Sequence, residues 1–343
     1  MEASWNIAIT EPSQVGEARR IATALASSLL LNETETGKVA LVVTEIGNNI
    51  LRHAESGELL IRSVHDATGT GVEILGVDHG AGMSNINRCM EDGYSTTGTA
   101  GIGLGGIRRL SGMFSVDSTP GKGTVVLSRI YRTHPKQPSL RTTSFDWGVV
   151  MVPHPHERVS GDGYFVLEAP GVCTAMIVDG LGHGLPAAEA AQKACHMMQE
   201  FGHQPLDDLL HNIHLGLRGG RGAAIGIARI LVDEQQLRFI GIGNIAGCLV
   251  HRDGTSKSVM SYPGIMGHEI RKPKEMTYSW TENTTLVMHS DGLQSQWNAH
   301  AYSQAMASES SLLAATLYRD FNRGRDDVTV LTIKWRPMRS FAT

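Results

Sequence analysis

Residues 76–110, GVDHGAGMSNINRCMEDGYSTTGTAGIGLGGIRRL, combine an acidic residue with two clusters of glycine. Asp78 ends an apolar run and is followed by Gly80 and Gly82. The second cluster runs into a helix-like segment and comprises Gly98, Gly101, Gly103, Gly105 and Gly106. Glycine lets the backbone approach a ligand closely, and a helix N-terminus attracts anions. The stretch therefore predicts a phosphate-binding loop.

Two segments with helical spacing of apolar residues precede this stretch, at 15–30 and 39–54, and Thr36 is the predicted N-cap of the second. Glu45 and Asn49 are four residues apart and share one face of that second helix. Asn49 can offer an oxygen to Mg²⁺, Glu45 can act as a base, and Asp78 can accept a hydrogen bond from an adenine amino group. The alternative for the helix is a solvated polar face.

The order of elements predicts two α/β sandwiches. The first half adds strands at 58–64 and 71–77, a short helix at 85–91 and a hairpin of 114–117 with 124–130, which together predict helices on one face of a mixed sheet. The second half predicts a largely antiparallel β set with helices outside. Its predicted strands are 146–152, 164–168, 172–178, 223–232, 237–241, 245–251, 284–289 and 328–335, and its predicted helices are 187–201, 206–217 and 310–320. A Pro-containing basic segment separates the halves, so we expect domains at 1–132 and 145–337 joined by a linker at 133–144.

Length and composition restrict the function further. A chain of 343 residues is long enough for two cores, and its formal net charge of −4 gives no indication of a nucleic-acid or membrane partner. The four cysteines are far apart and show no metal-binding spacing, which is typical of reduced thiols. No apolar run approaches a membrane span, and we expect a cytoplasmic location.

Three motifs in the first half occur in the order and spacing of a known superfamily. Residues 41–126 resemble the GHKL ATPases and kinases, a group that includes gyrase, Hsp90, histidine kinases and MutL, with an N box at 45–49, a G1 box at 78–82 and a G2 box at 101–106. Within that group the sequence is most similar to the RsbT-like serine kinases of partner-switching modules. The resemblance implies a Bergerat α/β sandwich that binds ATP and Mg²⁺. It implies the following roles: Glu45 as general base, Asn49 as magnesium ligand, Asp78 and Thr124 at the adenine, and Gly80, Gly82, Gly101, Gly103 and Gly105 around the nucleotide.

A histidine kinase is the nearest alternative. Such enzymes need a phospho-acceptor histidine on an upstream helix, yet the first histidine of this chain is His53, inside the N-box helix. Serine or threonine phosphotransfer is therefore favoured.

Four acidic residues of the second half stand at predicted strand ends or in a glycine turn: Asp162, Asp179, Asp291 and Asp326. Carboxylates that converge from separate strands repel one another unless cations bind among them, and oxygen ligands suit Mg²⁺ or Mn²⁺. Two such ions could activate a water molecule for phosphoester hydrolysis. For any single Asp-Gly pair, an ordinary turn is the better interpretation.

The joint pattern SGDGYF, VDGLGHGLPA, RGAAIGI, GNIAG, HSDGL and RDDVTVL over residues 160–331 resembles the PP2C phosphatases of the SpoIIE and RsbX-like branch. The resemblance implies an α/β/β/α sandwich that binds two Mn²⁺ or Mg²⁺ ions. It implies that Asp179 bridges both metals with the Gly180 carbonyl, that Asp291 and Asp326 complete one of them, and that Asp162 holds metal-bound water. Asp327 is the alternative to Asp326. His183 is expected to be an exposed loop residue, and Arg218 with Arg221 either approaches a phosphoprotein or lies in a solvated turn.

The two resemblances together imply a bifunctional regulator of a bacterial partner-switching pathway. One half would phosphorylate, and the other dephosphorylate, a Ser or Thr of a STAS-domain partner, either an anti-sigma-factor antagonist or a stressosome protein. A sigma factor is a further possible partner, and a homodimer is possible. The alternative is a first domain that senses nucleotide or binds a sigma factor without kinase activity.

Overall fold

A computed structural model describes residues 4–54, 56–90, 103–133, 145–268, 270 and 273–336. The chain divides into two units, Glu2–Arg141 and Thr142–Thr343. Apart from Thr133, the predicted linker at 133–144 lies outside the described residues. None of the described helices is long and apolar enough to cross a membrane.

The first unit is a two-layer α/β sandwich. Its elements are β1 (Ser4–Ile9), α1 (Pro12–Ser28), α2 (Glu33–His53), β2 (Gly57–Asp66), β3 (Gly69–Asp78), α3 (Ile86–Cys89), α4 (Gly103–Leu110), β4 (Met113–Thr119) and β5 (Gly123–Tyr131). The strands form one sheet in the order β1-β2-β3-β5-β4. Every neighbouring pair is antiparallel, so the prediction of a mixed sheet is wrong. Strand β1 was not predicted: its alternating burial is the period-two pattern of a strand, but the pattern extends over only six residues.

The predicted N-cap of α2 is also wrong. The helix begins at Glu33, one turn earlier than predicted, and Asn32 is its N-cap. The Asn32 side chain accepts a hydrogen bond from Glu35 N at 2.9 Å, and the Glu35 carboxylate accepts one from Asn32 N at 2.7 Å. This reciprocal capping box satisfies two helix-end N–H groups, whereas Thr36 lies inside the first turn.

Small residues bring α2 close to the sheet and to α1. A Cβ at Gly76 of β3 would overlap Cγ2 of Ile46, and a Cβ at Gly47 would lie 2.9 Å from Val15 Cγ2. The core between helices and sheet is apolar and includes Ile46 and Ile50. Burial of this face fixes the rotation of α2 about its axis and therefore the direction of its polar residues.

The second unit is a four-layer sandwich, as predicted. Its elements are β6 (Phe145–Val152), β7 (Asp162–Ala169), β8 (Val172–Gly180), α5 (Leu185–Phe201), α6 (Leu206–Leu217), β9 (Ala223–Leu231), β10 (Gln236–Ile242), β11 (Ala246–His251), β12 (Ser256–Val259), β13 (Met276–Ser279), β14 (Thr284–His289), a 3₁₀ turn (Ala299–Tyr302), α7 (Ser303–Ala307), α8 (Ser310–Phe321) and β15 (Val328–Trp335). Two five-stranded sheets have the orders β13-β10-β9-β8-β7 and β12-β11-β14-β15-β6.

Alternating residues of β8 show how the layers pack. Ile177 belongs to the core between the two sheets, whereas Met176 and Val178 belong to the core beneath α5 and α6. Helix α8 packs on β6 and β15 of the other sheet. A strand that is buried on both faces gives a continuous apolar run, which is why β8 was predicted from the sequence.

The capping box gives a test of where α2 begins. Asn32→Ala should lower the free energy of unfolding of α2 by about 1 kcal/mol, because Glu35 N loses its side-chain acceptor. Thr36→Ala should cost less than about 0.5 kcal/mol, because alanine is the better helix former. Native-state amide hydrogen exchange of the α2 backbone measures both changes. A larger loss for Thr36→Ala would contradict the assignment of the cap.

Candidate nucleotide and metal sites

Helix α2 carries the first two candidate residues on one flank. Glu45 and Asn49 each precede an isoleucine, Ile46 and Ile50, whose side chain is buried against the sheet. Both polar residues are half-buried. The one-turn spacing therefore places Glu45 and Asn49 together at the edge of the helix–sheet core rather than on the solvated face of α2.

The end of α2 contacts the loop that follows β3. A Cβ at Gly80 would lie 2.6 Å from the His53 carbonyl oxygen and 2.9 Å from Ala54 Cα. Because these obstacles are backbone atoms, only glycine allows the approach. The contact brings the loop after Asp78 to the C-terminal turn of the helix that carries Asn49.

Backbone donors hold the Asp78 carboxylate. Its Oδ1 accepts hydrogen bonds from Gly80 N at 2.9 Å and from Thr124 N at 3.1 Å. A Cβ at Gly123, where φ is +98°, would overlap the Asp78 carbonyl oxygen. The close approach of β3 and β5 therefore fixes the orientation of the carboxylate and brings Thr124 beside it.

Ser118 belongs to the same site, although the sequence analysis did not identify it. Its Oγ lies 2.9 Å from Thr124 Oγ1 and accepts a hydrogen bond from Met83 N at 2.8 Å. Ser118 and Thr124 are directly opposite in the β4–β5 pair. The predicted first strand of this hairpin ended at residue 117. A strand extended to Ser118 would have paired it with Thr124 and indicated the contact between the two hydroxyl groups.

The candidate loop glycines differ in their environments. Gly82 has a φ of +69°, and a Cβ there would overlap the Thr119 carbonyl oxygen. Gly103 has a φ of +59° with open space around its Cα, and Gly105 is buried within α4. The conformations of Gly82 and Gly103 favour glycine. Gly101 lies outside the described residues.

Carboxylates from four chain segments meet at one end of the second unit. Asp162 begins β7 and is directly opposite Asp179 near the end of β8. Asp291 follows β14, and Asp326 precedes β15. Burial, followed by the charges of Asp291 and Asp326, raises the pKa of Asp179 to about 7. The structure thus brings together the four acidic residues that the sequence singled out.

Asp162 is the most buried of these carboxylates. Asp162 is 1% exposed, and its Oδ2 accepts a hydrogen bond from Ser290 Oγ at 2.6 Å. Thr329 N in turn donates to Ser290 Oγ at 2.9 Å. Burial and the charge of Asp179 raise the pKa of Asp162 well above its usual value. Ser290 therefore anchors Asp162 to the second sheet.

The geometry distinguishes the two adjacent aspartates of the RDDVTVL motif. Asp327 is 3% exposed, and its Oδ1 accepts a hydrogen bond from His154 N at 2.8 Å. A Cβ at Gly161 would lie 2.8 Å from Asp327 Oδ2. Asp326 is half-buried. The geometry favours Asp327 as the residue that holds the segment before β7 and Asp326 as the one that is open to a cation.

Asn244 is a second site residue that the sequence analysis did not identify. Its Nδ2 donates to Asp291 Oδ2 at 2.7 Å, and the same side chain acts to lower the pKa of Asp179 against the effect of burial. The GNIAG motif contains this residue, but a single amide in a glycine turn gives no signal of a partner 47 positions away. Asn244 is therefore a hydrogen-bond donor to the carboxylate cluster.

The residue types fit divalent cations. Asp179, Asp291 and Asp326 offer oxygen atoms of the kind that Mg²⁺ and Mn²⁺ prefer, and Gly180 offers a backbone carbonyl. Among the residues that the structure describes, no three His, Cys, Asp or Glu side chains are already arranged around a common point. Even so, the raised pKa of Asp179 shows that the neighbouring charges repel, and a bound cation would relieve this repulsion.

His183 is exposed, as predicted, but it has defined contacts. Its Nδ1 lies 2.7 Å from Glu157 Oε1, and 56% of its side chain is exposed. Its ring stacks on that of His154 with 4.7 Å between the ring centroids. These contacts link the loop after β8 to the segment before β7.

The folds and site positions define the class of protein. A Bergerat-type sandwich with the Glu45, Asn49 and Asp78 set at its helix–sheet edge is a GHKL module. A four-layer sandwich with carboxylates at its strand ends is a PP2C module. The predicted fold class is therefore confirmed for both halves.

Comparisons with known proteins identify the family. Residues 9–129 match the model of the histidine kinase-like ATPase domain, and residues 169–336 match that of stage II sporulation protein E. The serine/threonine-protein kinase RsbT of Bacillus subtilis (strain 168) is 34% identical over 109 residues, which cover 32% of this chain and 82% of RsbT. The chain belongs to the histidine kinase-like ATPase family of RsbT through its first unit, and it carries a SpoIIE-type PP2C domain as its second.

Two further similarities concern RsbX and the stressosome. The phosphoserine phosphatase RsbX of the same organism is 22% identical over 137 residues, which cover 40% of this chain and 69% of RsbX. A solved structure described as "The bacterial stressosome: a modular system that has been adapted to control secondary messenger signaling" is 26% identical with a TM-score of 0.53, and the match covers 55% of this chain and 99% of that one.

The raised pKa of Asp179 predicts how pH affects stability without metal. The folded protein holds a proton on Asp179 up to about pH 7, whereas the unfolded chain loses it near pH 4. The free energy of unfolding should therefore fall as pH rises from about 4 to 7. In EDTA at pH 8, Asp179→Asn should be more stable than the wild type by on the order of 1–2 kcal/mol, allowing for partial solvent exposure.

Urea unfolding at pH 4, 6 and 8 in EDTA measures this difference, which should become small at pH 4. Added Mn²⁺ should stabilise the wild type more than the variant. If Asp179→Asn is less stable than the wild type at pH 8 in EDTA, burial and repulsion of the Asp179 charge do not dominate the effect of the substitution.

Proposed function

We propose that this chain is a bifunctional protein kinase and phosphatase of a bacterial partner-switching pathway. The first unit phosphorylates a Ser or Thr of a partner protein, and the second removes phosphate from a Ser or Thr. Two observations support the proposal. The Gly80 contact brings the loop after Asp78 to the C-terminal turn of the helix that carries Asn49, and the charges of Asp291 and Asp326 act on Asp179 at the strand ends.

In the kinase half, Asp78 would accept a hydrogen bond from the adenine amino group while Gly80 N and Thr124 N hold its carboxylate. Glu45 would accept the proton of the partner hydroxyl, and Asn49 would hold Mg²⁺. ATP and Mg²⁺ supply the transferable phosphoryl group and neutralise its charge when bound. Gly82, Gly103 and Gly105, together with Gly101, are proposed to lie around the phosphates.

In the phosphatase half, Asp179, Asp291 and Asp326 would hold two divalent cations with the Gly180 carbonyl. When bound, Mg²⁺ or Mn²⁺ supplies a Lewis acid and lowers the pKa of a water molecule. Asn244 would keep Asp291 oriented through its amide N–H group. Asp162, buried beside Asp179, is proposed to hold a water molecule there, and Ser290 fixes its orientation.

The relatives support the choice of partner. The names of RsbT and RsbX are those of a serine/threonine kinase and a phosphoserine phosphatase, and the similar solved structure concerns the bacterial stressosome. We infer that the partner is a STAS-domain protein. Since both reactions at once would only hydrolyse ATP, the two halves must be regulated or act on different phosphorylation sites.

A pair of variants tests the metal assignment. Asp326→Asn should lower Mn²⁺-dependent hydrolysis of para-nitrophenyl phosphate by on the order of 100-fold in kcat/KM, because a metal ligand loses its charge. Asp327→Asn should lower it less than about tenfold, because its amide oxygen still accepts from His154 N, and it should instead reduce stability by about 1–2 kcal/mol. Steady-state kinetics and urea unfolding measure the two effects. The reverse order of activity losses would assign the metal to Asp327.

A second pair tests the kinase assignment. Glu45→Ala should abolish transfer of labelled phosphate from ATP to a STAS-domain protein, while affinity for a fluorescent ATP analogue changes less than about threefold, because a general base acts in the transfer step rather than in nucleotide binding. Asp78→Asn should weaken that affinity by about 10- to 100-fold through loss of a charged acceptor. Phosphotransfer that survives in Glu45→Ala would leave the first unit without its proposed base. Wild-type nucleotide binding without any transfer would instead favour a nucleotide-sensing module.

A further inference from the structure

Exposed apolar side chains lie next to the carboxylate end of the second unit. Leu185 is 66% exposed, Leu181 is 39% exposed and Ile265 is 38% exposed. Single exposed apolar residues are common on protein surfaces and need no explanation. These three come from two segments of the chain, 181–185 and 265, so their position relative to one another matters.

Gly222 lies beside both Leu181 and Ile265. Leu181 N donates to the Gly222 carbonyl oxygen at 3.1 Å. A Cβ at Gly222 would lie 2.7 Å from Ile265 Cγ2, and Leu185 begins α5 only four residues after Leu181. We call Leu181, Leu185 and Ile265 the apolar rim.

The apolar rim borders the candidate phosphatase site. Asp179 and Gly180 directly precede Leu181, and Gly180 pairs with Ala223 at the start of β9. Ala223 and Met266 exchange two backbone hydrogen bonds, of 3.2 and 2.9 Å, which hold Ile265 at the same end of the sheet. When a substrate places its phosphate at the carboxylate cluster, the groups next to that phosphate would therefore lie close to the apolar rim.

A basic residue stands among these apolar ones. Arg221 is exposed, and its Nη1 lies 3.5 Å from the Leu181 carbonyl oxygen. A guanidinium here complements a phosphate dianion and is consistent with one of the two interpretations offered for Arg221 by the sequence. A small phosphate ester would need only the carboxylate cluster and this charge, and would make no use of three exposed aliphatic side chains.

We propose that the apolar rim binds apolar side chains that flank a phosphoserine or phosphothreonine on the surface of a protein substrate. The inference rests on the proposed phosphatase function and adds one property of its protein substrate: the phosphorylated residue is flanked by exposed apolar side chains rather than by acidic ones. An acidic peptide would gain nothing from aliphatic contacts, whereas removing aliphatic surface from water on both partners favours binding.

Two synthetic phosphoserine peptides of equal length and charge test the proposal on the full chain with Mn²⁺. One carries leucine two residues before and two residues after the phosphoserine, and the other carries serine at both positions. The wild type should hydrolyse the leucine peptide with a kcat/KM about tenfold higher, because two aliphatic side chains are buried against the rim.

The double variant Leu185→Ser with Ile265→Ser should lose this preference while its hydrolysis of para-nitrophenyl phosphate stays within about twofold of the wild type. Leu215→Ser is the matched control, because Leu215 is 44% exposed on α6, outside the rim segments. It should keep the preference. Equal kcat/KM for the two peptides in the wild type, or an equal loss in the control, would overturn the proposal.

A failure of the phosphatase function itself gives a different result. A chain that hydrolyses neither the peptides nor para-nitrophenyl phosphate refutes the proposed reaction. Fluorescence anisotropy of the labelled leucine peptide then tests separately whether the apolar rim binds apolar side chains. Tighter binding than that of the serine peptide, lost in the double variant, supports the rim, and equal binding refutes it.

Discussion

Repulsion between carboxylates is the constraint on which the second unit depends. The antiparallel pairing of β7 and β8 sets Asp162 directly opposite Asp179, and the ends of β14 and β15 add Asp291 and Asp326. Burial and, after it, the charges of Asp291 and Asp326 raise the pKa of Asp179 to about 7. The fold tolerates this cost because Ser290 and Asn244 hydrogen-bond to the acidic groups and because the two sheets are held by an extensive apolar core between them.

In the first unit the main constraint is the close approach of backbone segments around the candidate nucleotide site. Gly80 lets the loop after β3 touch the end of α2, and Gly123 lets β5 approach the Asp78 carbonyl. Both contacts are with backbone atoms, so neither could relax around a larger residue. Close packing of three elements therefore determines where the Asp78 carboxylate lies relative to Asn49.

Hydrogen bonds between distant segments complete both sites. Met83 N donates to Ser118 across 35 residues, and Asn244 donates to Asp291 across 47. His154 N likewise donates to the Asp327 carboxylate across 173 residues, which joins the start of β15 to the segment before β7. Such bonds order the loops on which the candidate side chains stand, and they make each site a property of the whole unit.

The sequence by itself determined the type and order of most elements, because apolar periodicity reflects burial directly and glycine reflects tight backbone approach. The sequence also indicated the candidate residues Glu45, Asn49, Asp78 and the four aspartates. Helical spacing indicates the first two, and position at a predicted strand end or in a glycine turn indicates the others. Only the tertiary structure revealed Ser118 and Asn244 and distinguished Asp326 from Asp327, and it replaced Thr36 by Asn32 as the cap of α2. The physical reason is that register and packing between distant segments decide which polar groups meet, and a local pattern of residues contains no information about that register.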